Sequence, residues 1–504
     1  MNAIQRIAVI GAGTMGRGIV QLFAQAGYQV RCYDAAPGAA GQAIEFVAGM
    51  IERAVTKGRY SPAQGAAVVA RLQACEHLEQ LAGCELAIEA VIEDLAVKRQ
   101  LFQRLEAVLG DAALLASNTS SLMVAEIAAA CANPERVAGL HFFNPVPLMK
   151  VVEVIAAVRT SAATVSRLEA LVQTTGHRAV VAADQPGFLV NHAGRGLYTE
   201  GLRLLEEGVA EVAAIDRLLR EAVGFRMGPF ELLDLTGLDV SCKVMETIYQ
   251  QFQQEPRFRP SSLVAPRIAA GLFGRKSGAG WYSYVDGERQ QDEEQRVPEL
   301  PTSLRVWVDP AADEYARLGG LVFEAGLELV ESVHDADLLL LQFWGWDVSR
   351  YCAEYGLDAS RAVAVDPLPG LDNHRSLMLS SVTRAEVRDA AHALLAQDGT
   401  AVTLLGDSCG FVLQRVLATI VNIAAEIAQR GIARVADLED AVRLGLGYPL
   451  GPLQWGDAIG ASRVLDILSR MHALSGDPRY RPSPWLARRA ALELPLNTPE
   501  AART

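Results

Sequence analysis

The chain has 504 residues, half of them hydrophobic, and a formal net charge of −13. That length exceeds what one hydrophobic core organises and points to three or four structural units. The acidic balance argues against nonspecific nucleic-acid binding, since no basic surplus displaces phosphate counterions, and the absence of an uninterrupted apolar run of about 20 residues argues against a membrane span.

The opening MNAIQRIAVIGAG reads as a first strand running into a Gly-rich turn, not as a cleaved signal. Seven cysteines form no C-x-x-C pair and no Cys/His cluster with metal spacing, so free thiols in a reducing, cytoplasmic compartment and no metal site are expected. RIAVIG, YQVRCYD, CELAIEAVI, ALLASNTS, RVAGLHFFN and KVVEVIAA alternate with helical stretches over residues 1–183, which predicts a mostly parallel, doubly wound α/β sheet. Residues 184–285 change to long helical periodicity broken by Gly and Pro, as in an all-α domain. The polar, Pro-bearing stretch 286–303 reads as a linker.

The helical pattern then recurs at a constant offset of 223 residues. Asp184, Gly187 and Phe188 answer to Asp407, Gly410 and Phe411; Gly224, Gly228 and Pro229 to Gly447, Gly451 and Pro452; Asp234 and Gly237 to Asp457 and Gly460. Residues 407–504 are thus expected to be a second copy of the helical domain. Between the copies, 304–406 reads as a degenerate Rossmann-like unit without a Gly-rich turn, its VAVDPLP answering to GLHFFNPVP with an Ala-Val pair in place of His-Phe-Phe.

Gly11-Ala12-Gly13-Thr14-Met15-Gly16 follows a strand and opens a helix, and Asp34 ends the next strand. In that context the three glycines serve the tight turn, the approach of backbone to a pyrophosphate and close helix packing. The competing reading, a Gly-rich turn with no ligand, is disfavoured by strand, helix and acid all being in place. Asp34 accepts from ribose hydroxyls and repels a 2′-phosphate, so NAD is the expected cofactor.

Three polar groups sit at expected strand ends: the run Ser117-Asn118-Thr119-Ser120-Ser121, His141, and Glu153, which a turn at Asn144-Pro145-Val146-Pro147 returns towards His141. An imidazole beside a carboxylate suits hydroxyl oxidation, the His taking the proton and the Glu fixing its tautomer. On spacing alone, a structural histidine is the commoner reading.

GAGTMGRG, IEAVIEDLAVK, SNTSSL, GLHFFNPVPLMKVVEV, PGFLVNH and MGPFELLDLTGLD resemble, in order, the motifs of the 3-hydroxyacyl-CoA dehydrogenase family, continuously to about residue 284 and again from about 407. The resemblance implies an NAD-dependent enzyme oxidising (S)-3-hydroxyacyl-CoA to 3-ketoacyl-CoA. Within it His141 is the base, Glu153 its partner, and Ser120 and Asn191 hold the substrate oxygens. Glu93, Lys98, Asn144 and Lys276 line the nicotinamide and ribose side, with Asn118 counted among the cofactor residues, and Lys57 falls near the CoA phosphates, where a solvated lysine is an equal reading. Met50 stands where the family often shows a Ser.

The duplicated plan resembles bacterial members acting on 3-hydroxyadipyl-CoA in phenylacetate catabolism, or on 3-hydroxybutyryl-CoA. His192 or Arg195 is a candidate contact for a terminal carboxylate. Gln414 replaces Asn191 in the second copy, which is therefore expected to hold no active site and to pair with the first, as a homodimer or a pseudo-dimeric monomer. A non-catalytic, crystallin-like role and a sugar-acid-type dehydrogenase are the alternatives; the intact catalytic positions and the HFFNPVP turn count against them.

Overall fold

The computed structural model describes residues 4–290 and 296–501. It divides into two compact units, Met1–His192 with Arg430–Leu446, and Ala193–Gln429 with Gly447–Thr504.

The first unit carries β1 (Arg6–Ile10), α1 (Thr14–Gln25), β2 (Gln29–Tyr33), α2 (Ala39–Thr56), α3 (Pro62–Val69), β3 (Leu72–Cys75), β4 (Leu86–Glu89), α4 (Leu95–Leu109), β5 (Leu114–Ser117), α5 (Val124–Ala128), β6 (Val137–Phe142), β7 (Val151–Ala156), α6 (Ala162–Thr174), β8 (Arg178–Ala183) and α7 (Val190–Ala193). Its eight strands lie in the order β3-β2-β1-β4-β5-β6-β7-β8, and all neighbours are parallel except β6 and β7. The central strands are buried on both faces, which explains their unbroken apolar runs. Gly16 is forced by packing, because a Cβ there would collide with the Gly11 carbonyl. The helix Val435–Gly445, far along the chain, also belongs here. It lies on β7 and β8, where Asp437 and Asp440 accept from the Arg178 guanidinium at 2.7 Å each.

The second unit begins with α8 (Arg195–Glu206), α9 (Val212–Glu221), α10 (Pro229–Thr236), α11 (Leu238–Gln251) and α12 (Val264–Ala269), then a small hairpin, β9 (Tyr284–Val285) and β10 (Glu288–Arg289). The hairpin occupies the start of the expected linker, and residues 291–295 of that linker lie outside the described residues. A six-stranded sheet follows, built from β11 (Arg305–Val308), α13 (Tyr315–Glu324), β12 (Glu328–Leu329), β13 (Leu338–Leu341), α14 (Val348–Tyr355), β14 (Ala362–Val365), β15 (Arg375–Leu379), α15 (Ala385–Ala396) and β16 (Val402–Leu405), in the order β12-β11-β13-β14-β15-β16. Only β14 and β15 are antiparallel, so the smaller sheet repeats the larger one with two strands fewer.

The repeat seen in the sequence is a repeat of helices. Pro229–Thr236 recurs as Pro452–Ile459 and Val212–Glu221 as Val435–Gly445, each a shift of 223 residues, and Gly237 and Gly460, at φ +88° and +99°, end the helices Pro229–Thr236 and Pro452–Ile459 alike. The helix Val412–Gln429 is long and apolar enough to cross a membrane by length and composition, although Arg415 and Glu426 interrupt its apolar run; 89% of it is buried, as the core helix of this unit. It packs on α8, and a Cβ on Gly196 would stand 3.1 Å from the Ile420 Cα. Beside it the Arg415 guanidinium, 2% exposed, meets Glu200 at 2.7 Å and Glu207 at 2.6 Å.

The close approach of these helices fixes a stability prediction. Gly196→Val overpacks the crossing and lowers stability by about 1–3 kcal/mol. Gly41→Ala, in α2 with nothing within 4 Å of the added Cβ, is neutral or stabilising by up to about 1 kcal/mol. Calorimetry reads both, and a wild-type midpoint for Gly196→Val would rule out the helix contact.

Candidate active site

The antiparallel register of β6 and β7 sets His141 directly opposite Glu153. Side chains on directly opposed residues share one face and meet; His141 Nδ1 and Glu153 Oε2 are 2.5 Å apart. The carboxylate is 0% exposed and the imidazole 5%. Since a carboxylate only accepts, Nδ1–H donates to it and Nε2 is left as the basic nitrogen. The other oxygen, Oε1, accepts from the backbone N–H of Leu189 at 2.9 Å and Val190 at 2.8 Å. Glu153 thereby ties the imidazole to the segment that carries Asn191. Phe143 and Phe188 flank the ring, at 4.5 and 5.9 Å between centroids.

The strand end at Ser117–Ser121 is shaped by Glu93. Its Oε1 accepts from Thr119 Oγ1 at 2.7 Å, from the N–H of Ser120 and Ser121 at 3.0 and 3.1 Å, and from Ser121 Oγ at 3.0 Å. Burial opposes charge on Glu93, but Lys98 and these donors outweigh it and hold the carboxyl below its ordinary range. Lys98 is 1% exposed, with its ammonium 2.6 Å from Glu89 and 3.2 Å from Glu93. It is a positioning residue between two carboxylates. Asn118 Oδ1 accepts from the Phe142 N–H at 2.8 Å, locking the end of β5 to the residue after His141.

At the Gly-rich turn, Gly11 has φ +108° and a Cβ on Gly13 would meet only open space. The first turn of α1 has no acidic side chain, so its N–H groups and positive dipole end are uncompensated and suit a pyrophosphate. Asp34 accepts from Ala12 N–H at 2.7 Å and Ala36 N–H at 2.8 Å, holding the turn itself. Thr14 also lines a groove of about 610 Å³ with Arg17, Phe46, Met50, Arg59 and Tyr60, walled on its other side by the turn Asn144–Leu148. The Arg17 guanidinium lies over the Phe46 ring, 4.2 Å from its centroid.

His141, Glu153, Ser120, Glu93, Lys98, Asn118, Asn144 and Asn191 all belong to the first unit, as does Lys57, exposed at the end of α2. Lys276 belongs to the second, where it pairs with Asp239 at 2.5 Å. Sequence reasoning missed Glu89, although a carboxylate inside the apolar run ELAIEAVI was a signal. It also passed over Arg17 and Arg59, which nothing in a single sequence separates from solvated surface charges.

The smaller sheet shows what became of the same positions. Asp184 caps α5 through the Val124 and Ala125 N–H groups, and Asp407 caps α14 through those of Val348 and Ser349, so β13–α14 answers to β5–α5 and Trp344 stands at the place of Ser120. Strand pairing, Leu115 with Val137 in one sheet and Leu339 with Ala362 in the other, carries His141 onto Asp366. The neighbouring pairs Glu153–Val180 and Ser376–Thr403 carry Glu153 onto Ser376. An acid thus replaces the imidazole, correcting the Ala-Val match read from VAVDPLP, because the second hairpin is two residues shorter. Burial pushes the Asp366 carboxyl up to about 7. Gln414 spends its amide on Gly345 N–H at 2.8 Å, the Phe343 carbonyl at 3.1 Å and Asp366 at 2.9 Å. Pro310 occupies the place of Gly11, with Asp309 and Asp313 close by.

Residues 6–185 match the family description "3-hydroxyacyl-CoA dehydrogenase, NAD binding domain", and residues 187–284 and 410–496 each match "3-hydroxyacyl-CoA dehydrogenase, C-terminal domain". The chain is 36% identical over 493 residues to 3-hydroxyadipyl-CoA dehydrogenase of Escherichia coli (strain K12), covering 98% of this chain and 99% of that one. It is 38% identical to a probable 3-hydroxybutyryl-CoA dehydrogenase of Bacillus subtilis (strain 168), over 56% of this chain and 98% of that one. Among solved structures, 3-hydroxybutyryl-CoA dehydrogenase from Escherichia coli K12 substr. MG1655 is similar at a TM-score of 0.85 and 35% identity, covering 98% and 99% of the two chains. The two matches that span 98% of the chain are both named as 3-hydroxyacyl-CoA dehydrogenases and differ in the acyl group of their names.

The relic network yields a prediction. Gln414→Ala unpairs buried groups at about 1–3 kcal/mol and lowers the unfolding midpoint, while NADH formation stays at the wild-type rate. A fall in rate as large as that of Asn191→Ala would mean a second working site.

Proposed function

The chain belongs to the 3-hydroxyacyl-CoA dehydrogenase family, and we propose that its NAD-dependent oxidation of (S)-3-hydroxyacyl-CoA is carried out at His141, on 3-hydroxyadipyl-CoA as substrate. The observation that carries the reading is the 2.5 Å contact between His141 Nδ1 and the fully buried Glu153 carboxylate. Nε2 removes the proton of the 3-hydroxyl. The imidazolium so formed is stabilised by the Glu153 carboxylate, whose second oxygen is held by the N–H groups of Leu189 and Val190. Ser120 and Asn191 orient the substrate's carbonyl and hydroxyl oxygens. NAD, held by Gly11, Gly13, Thr14, Met15, Gly16 and Asp34, supplies the hydride acceptor when bound. Glu93, Lys98, Asn118 and Asn144 shape its nicotinamide side, with Lys276 assigned there by family resemblance.

The groove between α1, α2 and the Asn144–Leu148 turn suits the pantetheine arm and phosphates of CoA, with Arg17 and Arg59 supplying the charge and Lys57 a further cation. Choice of the adipyl group, and of a place in phenylacetate catabolism, draws support from the 36% identity that spans 98% of the chain; a 3-hydroxybutyryl substrate is the second reading, favoured by the name of the matching Escherichia coli structure. We take the protein to be cytoplasmic, with no nucleic-acid or membrane partner. The two helical copies play the part of a dimer inside one chain, supported by the packing of α8 on the helix Val412–Gln429 and by paired bonds, Ala183 N–H to Ile432 and Gly406 N–H to Val209, both 2.8 Å and 223 residues apart.

His141→Gln is expected to lose about 10²- to 10⁴-fold in kcat while binding NADH as the wild type does; near-native turnover would remove His141 from the reaction. NADH formation across a panel of 3-hydroxyacyl-CoA esters decides between the adipyl and butyryl readings. Arg17→Ala and Arg59→Ala raise KM for the CoA ester by about 10-fold each and leave an N-acetylcysteamine thioester, which has no phosphates, unaffected. Equal effects on both thioesters would take the CoA arm out of the groove.

A further inference from the structure

A helix-to-strand turn at the far edge of the larger sheet sends a buried imidazole to one wall of the groove. Gly176, at φ +73°, turns the chain from α6 into β8, and His177 is the next residue. Its ring is 4% exposed. His177 Nε2 lies 3.1 Å from the carbonyl oxygen of Val146, 31 residues earlier in the chain and part of the turn that walls the groove. A carbonyl only accepts, so Nε2 carries the hydrogen, and Nδ1, 3.1 Å from the Thr175 hydroxyl, is the ring's acceptor. Burial pulls the imidazole below its ordinary range, Lys150 acts in the same direction, and the ring is kept neutral in that tautomer.

The other bonds of the turn are short-range. Leu148 and Met149 donate their N–H groups to the Pro145 carbonyl at 2.9 and 3.0 Å, and Lys150 Nζ donates to the Pro147 carbonyl at 3.1 Å. They shape the turn without tying it to the start of β8. On its other side Val146 meets α1 so closely that a Cβ on Gly18 would stand 2.9 Å from the Val146 Cβ. Val146, 2% exposed, is therefore held between α1 and His177. Its neighbours Asn144, Pro145 and Leu148 are exposed and line the groove, so their place follows from where Val146 is fixed.

We propose that His177 is a positioning residue for the CoA arm: by holding the Val146 carbonyl it sets the distance of the Asn144–Leu148 wall from α1 and α2, and with it the affinity for the nucleotide end of the thioester. This rests on the reading of the groove given above. His177 is not among the residues that line the groove and acts through Val146.

The test compares, in the full-length protein, a 3-hydroxyacyl-CoA with the N-acetylcysteamine thioester of the same acid. His177→Leu, which removes the donor, is expected to raise KM for the CoA ester about 3- to 10-fold, the range for one lost hydrogen bond, and to leave KM for the short thioester within about 2-fold of wild type. His177→Gln, whose amide N–H stands in for Nε2–H, restores most of the affinity for the CoA ester. A merely structural role would move both thioesters alike. An unchanged KM in His177→Leu, an equal change for both thioesters, or a Gln variant no better than the Leu variant would each overturn the assignment. Should His177→Leu fail to fold, His177→Asn, whose shorter amide stops short of Val146, decides by the same ratio. Arg17→Ala and Arg59→Ala separate the two levels of the argument: if they spare the short thioester and the His177 variants do not, the assignment of His177 falls alone, and if they affect both thioesters equally, the groove reading falls and His177 with it.

Discussion

The carboxylate of Glu153 is the constraint on which the rest of the site depends. One oxygen fixes His141, the other receives two backbone N–H groups at the start of α7, and no part of it reaches solvent. A buried ionised carboxylate is tolerable only when its lone pairs are met, and here meeting them joins a strand, its antiparallel neighbour and the following helix. The single antiparallel pairing in the eight-stranded sheet is what makes this possible: a parallel β6 and β7 joined by a crossover would not face His141 with a residue twelve positions on.

A second buried charge cluster supports the neighbouring strand ends. Glu89 and Glu93 share Lys98, and Glu93 organises the 119–121 turn through four donors. The smaller sheet has the matching scaffold, in the Asp407 cap and the antiparallel β14–β15 pair, with Asp366 and Ser376 where His141 and Glu153 stand in the larger one. At the place of His141, Asp366 makes a local network with Gln414.

Much of this was legible in the sequence because it rests on short-range rules. The Gly-rich turn, Asp34 and the 223-residue repeat each follow from backbone demands that only Gly, Pro or a capping acid meets. The return of Glu153 to His141 was readable from loop length. What was not readable depends on partners distant along the chain: Glu153 with Leu189 and Val190, Lys98 held between Glu89 and Glu93, and the hairpin two residues shorter that brings Asp366, not the Ala-Val pair, to the place of His141. Charges such as Arg17 and Arg59 gained meaning only once a groove lay beside them.

The second copy also bears on the first half's chemistry through packing. The helix Val435–Gly445 covers β7 and β8, with Asp437 fully buried against Arg178. At its end Gly445 lies so close that a Cβ would stand 3.0 Å from Val190 and 3.3 Å from Val151. Val190 is one of the two donors to Glu153, and Val151 begins the strand that carries it. That face of the sheet is thus covered by residues 430–446 of the same chain, so the segment 223 residues beyond α9 packs against the strand that holds Glu153 in place.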